Sequence, residues 1–152
     1  MEKRAQFSEA LKAAQKAKDE VKTGTLRLIT AALKDRDISA RGSGKADGIE
    51  EPEILSMLQG MIKQRQESAK IYAEAGREDL ASREELEIKI IQEFLPKQMS
   101  DEEVTAAIDA LIKETGAAGI KDMGKVMNAM KAKYAGQADM AKAGAIVKQR
   151  LA

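Results

Sequence analysis

Between residues 54 and 96, apolar side chains recur at helical spacing on either side of a single glycine, Gly76. Ile54, Leu58, Met61, Arg65, Ala69 and Tyr72 fall on one face, so the first helix of this block carries an arginine in the middle of its apolar stripe. Gly76 suits the left-handed residue that follows a helix. A second helix is expected next, with Leu80, Glu84, Glu87, Ile91 and Phe94 along one face and Leu86 and Ile90 beside it. Pro96 bars its continuation and forces Leu95 out of helical geometry. An arginine and two glutamates therefore lie on faces turned to the interior, where an unpaired charge costs several kcal/mol. Two readings follow. Arg65 pairs with Glu84 or Glu87 and sets the register of the two helices, or the carboxylates and arginine line a catalytic cleft, which requires an open space between them.

The rest of the chain reads the same way. With only two prolines, 3% aromatic residues and abundant Ala, Leu, Ile, Met, Glu and Lys, the composition predicts an all-α protein. One helix is expected over residues 2–21, with Phe7, Ala10, Leu11, Ala14, Ala17 and Val21 inward and a break at Thr23-Gly24-Thr25. In a second, Leu26, Leu28, Ile29, Ala32, Leu33 and Ile38 spread around most of the circumference, which marks it as the central helix of its unit. Ser39 to Glu50 is a turn-rich connection of the mobile kind, and Pro52 fits the first turn of the helix after it. Beyond Pro96, Ser100 and Glu103 form a capping box, and Val104, Ala107, Ile108, Leu111 and Ile112 point inward. Gly116 to Gly119 separates this helix from one bearing Met123, Val126, Met127, Met130 and Tyr134. A last helix places Met140, Ala143, Val147 and Leu151 inward. The expected architecture is a helical unit of about four helices over residues 1–96, followed by a small three-helix bundle over residues 97–152.

Charge and residue absences narrow the chemistry. Lys and Arg number 26 against 25 Asp and Glu, a net charge of +1, so no global field draws the chain to nucleic acid or to an anionic membrane. With no cysteine and no histidine, the chain lacks disulfides, the usual zinc ligands and every Ser-His or Cys-His nucleophile arrangement. No catalytic residue, metal or cofactor is expected, and catalysis is disfavoured. No stretch resembles a signal peptide or a membrane span, which makes the cytoplasm the default compartment and a membrane partner unexpected. Gly42-Ser43-Gly44-Lys45 lacks the strand and the full spacing of a phosphate loop.

A local basic surface remains. From Lys113 onward there are eight basic residues against three acids, an excess of five. Lys121, Lys125, Asn128 and Lys131 project away from the Met123–Met130 stripe, and Lys142 and Lys148 add charge from the last helix. The bland reading is a solvated face; the functional one is a candidate nucleic-acid surface that reads phosphates, since there are no aromatics to stack bases. The methionine stripe is either core or an adaptable groove for a protein partner.

Lys63-Gln64-Arg65, Glu67-Ser68, Tyr72, Gly76-Arg77 and Asp79-Leu80, the Leu95-Pro96 stop with Gln98, the GKVMNAMKAKY helix and the closing AIVKQRLA together resemble the YqeY family over nearly the full chain. Its members are similar to the tail domain of GatB, the B subunit of aspartyl/glutamyl-tRNA amidotransferase. The resemblance implies a helical tRNA-binding or accessory module, related by similarity to the glutamine-dependent carbon-nitrogen ligases, without its own catalytic centre. The implied partners are tRNA and an amidotransferase or aminoacyl-tRNA synthetase; the alternative is an adaptor for a tRNA-metabolising enzyme. Lys63, Tyr72, Gly76, Arg77 and Pro96 carry the family motif.

Overall fold

The computed structural model describes residues 2–152. Among them are seven α-helices and no strand, as the composition predicts. The chain divides between Leu95 and Pro96 into two compact units, each with its own core.

The first unit contains α1 (Lys3–Lys16), α2 (Glu20–Gly42), α3 (Glu51–Glu74) and α4 (Glu78–Gln92). Its core gathers Phe7, Leu26, Ile29, Ile54, Met57, Leu58, Ile91 and Phe94. Each such side chain contributes about 1.5–3 kcal/mol of burial. The rings of Phe7 and Phe94 meet edge to face, with centroids 5.0 Å apart and planes at 71°. Gly76 has φ 75°, and the Arg77 amide donates to the Tyr72 carbonyl at 2.8 Å, so α3 ends in the left-handed turn that its sequence predicts.

Three expectations for this unit need correction. The first break falls at residues 17–19, not at Thr23-Gly24-Thr25, and Gly24 lies inside α2. Lys18 takes φ 58°, its amide donates to Gln15 O at 3.1 Å, and the Asp19 amide donates to Ala14 O at 3.0 Å. That is a helix stop normally built on glycine. Asp19 then caps α2 by accepting from the Lys22 amide at 3.0 Å. Replacing Lys18 with glycine is therefore expected to raise stability by about 1 kcal/mol by relieving the left-handed strain; urea unfolding checks the sign.

Second, α2 is buried on one face only, through Thr25, Leu26, Ile29, Leu33 and Asp37, while Leu28 and Ile38 stay 50% and 54% exposed. Helical spacing put both in the apolar set, but the unit has too few helices to cover α2 all round. Third, α2 runs to Gly42, so the connection is shorter than expected, and its far end is anchored. Arg4 grips Asp37 through Nη2 to Oδ1 at 2.7 Å and Nε to Oδ2 at 3.2 Å. The Ile49 amide donates to Asp37 Oδ1 at 2.9 Å, and Arg4 Nη2 also donates to the Ile49 carbonyl at 2.8 Å. A buried carboxylate thus holds the Gly48-Ile49 backbone just before α3 starts.

The second unit contains α5 (Asp101–Thr115), a single 3-10 turn (Ile120–Asp122), α6 (Met123–Tyr134) and α7 (Met140–Leu151). Ser100 Oγ accepts from the Glu103 amide at 3.1 Å, and the Glu103 carboxylate accepts from the Ser100 amide at 3.4 Å, closing the expected capping box. Val104, Ala107, Ile108, Leu111, Val126, Met130, Ala138, Ala143, Val147 and Leu151 form the core. Met123, Met127 and Met140 pack at its edge, so the methionine stripe is core rather than an open groove. The Met99 amide donates to Gln137 O at 2.9 Å and Gln98 Nε2 donates to Gly136 O at 2.6 Å, which tie the segment before α5 to the α6–α7 turn.

Candidate nucleic-acid interface

Lys121, Lys125, Asn128, Lys131, Lys142 and Lys148 are all exposed. On α6, Val126 and Met130 are buried, and helical rotation carries Lys125, Asn128 and Lys131 to the opposite side. Lys121 precedes them on the 3-10 turn. Lys142 and Lys148 leave α7 about 120° apart around its axis, from six steps of about 100°.

Their acidic neighbours differ. Lys142 Nζ lies 3.7 Å from Asp101, and Arg150 Nε 3.2 Å from Asp109, so acids of α5 answer two of the cations on α7. Counted over residues 96–152, nine basic side chains face seven acids, a net of +2. The excess expected from Lys113 onward thus shrinks once α5 is included. Asp122 accepts from the Ala118 amide at 2.9 Å; that bond, with the charges of Lys125 and Lys121, holds its pKa below the usual carboxylate value. Lys133 stands 5.8 Å above the Tyr134 ring. Among the described residues, Lys121, Lys125, Lys131 and Lys148 have no carboxylate within ion-pair distance.

The second candidate cluster joins α3 to α4. Arg65 Nε donates to Glu87 Oε2 at 2.9 Å and its Nη1 to the Met61 carbonyl at 3.1 Å; the two charged side chains are only 11% and 13% exposed. Arg83 Nε reaches the other Glu87 oxygen at 3.4 Å. Glu84 is half-buried one turn earlier and has no cation within ion-pair distance among the described residues. The cluster is thus Arg65 with Glu87. Of the motif residues, Lys63 is exposed, Tyr72 is half-buried, and Arg77 pairs with Asp79 at 3.1 Å on the surface. Pro96 opens the second unit. Among the described residues no group of three or more carboxylates is placed to hold a metal ion.

These features define an all-helical protein of two small cores with a cationic helix face. The family model for Yqey-like proteins (YqeY) matches residues 4–151, and the chain belongs to that family. Three curated relatives share one name, "Altered inheritance of mitochondria protein 41, mitochondrial". The relative from Vanderwaltozyma polyspora is 31% identical over 119 residues, 74% of this chain and 62% of the relative. That from Eremothecium gossypii is 34% identical over 112 residues, 72% and 59% of the two chains. That from Lachancea thermotolerans is 30% identical over 112 residues, 72% and 58%. The chain thus spans about three-fifths of the length of these relatives. Their name also corrects one expectation: all three are named as mitochondrial proteins, so the cytoplasmic assignment does not stand. It rested on the lack of a signal-peptide-like stretch and of an apolar span, and neither property distinguishes the cytoplasm from the interior of an organelle.

Proposed function

We propose that the chain is a tRNA-binding module, accessory to tRNA-dependent amidation and without a catalytic centre of its own. In this reading a four-helix unit is joined to a three-helix tail that meets the phosphate backbone. The observation that carries it is the solvent face of α6 and of the 3-10 turn before it, where Lys125 and Lys131 project beside Asn128, and Lys121 ahead of them, without ion-paired acids, from a helix anchored by Val126 and Met130. Lys142, beside Asp101, and Lys148 add charge from α7, and membership of the YqeY family supports the same role. An amidotransferase subunit or an aminoacyl-tRNA synthetase is the protein partner this role calls for. The adaptor reading has less support, because the methionines that would line its groove are packed in the core.

The test is tRNA binding by K121E/K125E/K131E. Binding is expected to be lost while helical circular dichroism stays at the wild-type level; unchanged affinity would remove α6 from the interface. Salt should weaken wild-type binding steeply, by about 0.7–0.9 in the logarithmic slope for each phosphate contact.

A further inference from the structure

The cationic residues of α6 are not the chain's only unpaired cations. Arg27, Lys34 and Arg41 recur every seven residues along the exposed side of α2. Seven residues advance a helix by about 10.5 Å and return it to nearly the same side, so the three charges form a line about 21 Å long. None of the three is ion-paired to an acid among the described residues. Arg41 Nε donates to the Ala46 carbonyl at 3.3 Å, and its nearest acid along α2 is the buried Asp37 one turn earlier, whose carboxylate is bonded to Arg4. Arg27 opens onto a shallow groove of about 390 Å³ at the α1–α2 corner, lined also by Gln15, Lys18, Glu20, Thr23 and Gly24. Lys18 is the residue held in a left-handed conformation where glycine is the ordinary occupant. Strained backbone of this kind concentrates at functional positions.

We propose that this corner, continued along α2 by Lys34 and Arg41, is a second phosphate-binding site whose ligand is the phosphodiester backbone of a folded RNA. The inference rests on the tRNA-binding reading and extends it to the first unit. Lys18 and Arg27 supply the two cations of the groove, and Gln15 and Thr23 supply neutral hydrogen-bonding groups. Glu20 is the one acid in the lining, at the N-terminal end of the same helix side; Asp35 lies on α2 about 100° around the axis from Lys34.

A line of cations suits a polymer that repeats its charge, and the arginines can grip phosphate oxygens in pairs. The apolar residues between the cations on this side are Ala31 and Ile38, too little to anchor a helix in a groove or to enter a membrane.

The experiment is a salt titration of tRNA binding by the full chain and three variants, K18G, R27Q/K34Q/R41Q and K121E/K125E/K131E. It is paired with amide NMR of residues 15–27 on addition of inorganic tripolyphosphate. The expected result is that R27Q/K34Q/R41Q flattens the slope by about 2–3 and K18G by about 1, with K18G nonetheless the more stable protein. A stabilised K18G that binds less tRNA separates a ligand role for Lys18 from a structural one.

Wild-type slopes in both α2-side variants, with binding lost in the α6 variant, overturn the inference and leave the α6 reading standing. Loss confined to the α2-side variants supports the inference and removes α6. Tripolyphosphate shifts that vanish in K18G, with no tRNA bound, support the anion site and remove the reading it extends. No response to either probe overturns both. If the α2-side variants keep RNA binding but lose a glutamate-rich helical peptide, the stripe belongs to a protein partner and the proposal falls.

Discussion

Replacing Gly48 with alanine is expected to destabilise the first unit by about 3–5 kcal/mol, the range seen when a buried charge pair is broken. The backbone there has φ 84°, and an added methyl would overlap the Asp37 carboxylate. Retreat is blocked, because the Asp37 oxygens already accept from Arg4 and from the Ile49 amide. Either the loop moves off α2 or the carboxylate leaves its partners, and both strand polar groups in a buried place. The penalties should not add: Asp37→Ala should cost less in the Gly48→Ala background than alone, since the first change removes the obstacle met by the second.

The same carboxylate makes an acid limb. The Arg4 guanidinium, followed by the Ile49 amide, holds Asp37 below its ordinary value of 3.8 in the folded protein, against the opposing effect of burial. The folded form therefore binds the proton less readily than the unfolded chain. The stabilisation is complete above the unfolded value and is lost as pH falls below it toward the folded one. Urea midpoints of wild type and Asp37→Asn should converge as the pH drops through that window; a constant gap would show that the charge is not what holds the loop.

The second large effect concerns α3 and α4. Arg65→Met alone or Glu87→Leu alone should cost about 3 kcal/mol, because each leaves the other charge nearly enclosed. Together the two changes should recover most of the loss, since an apolar pair of similar volume needs no compensation in that setting. Glu84→Gln should shift the urea midpoint little. If Glu84→Gln proved as damaging as Glu87→Leu, the register of α4 on α3 would have to be shifted by three residues, about one helical turn. The double variant also bears on function: retained tRNA binding would assign the ion pair to architecture alone.

Where local chemistry decided the structure, the sequence could be read. Gly76 and the Ser100–Glu103 box are decided within five residues, and the inward sets of α5, α6 and α7 follow from spacing alone. The α1–α2 break was misplaced because its left-handed residue is a lysine, while Gly24, six residues on, offered a false signal inside a helix. Asp37 did carry a signal, since it continues the Ile29–Leu33 stripe by one further turn as a charged residue. Its partner Arg4 lies 33 positions away, beyond any periodicity. Glu84 and Glu87 share one helix face, so only the packed register separates them. The α6 lysines could be placed on an outer face from spacing, but the acids of α5 that answer Lys142 and Arg150 depend on how three helices meet.

The anchoring of Gly48 and Ile49 by a residue eleven to twelve positions upstream also divides the connection between α2 and α3 into two kinds of chain. Residues 43–47 are exposed, and at Gly44 an added side chain would meet nothing within 4 Å. Residues 48 and 49 are buried, and their position is indexed to α2 rather than to the length of the loop. Lengthening residues 43–47 therefore leaves the starting point of α3 where it is, because loop closure entropy grows only slowly with length. This stretch is where a reporter or an affinity tag can be carried inside the chain, at the cost of the exposed contacts of Lys45 with Glu53 and of Ala46 with Arg41.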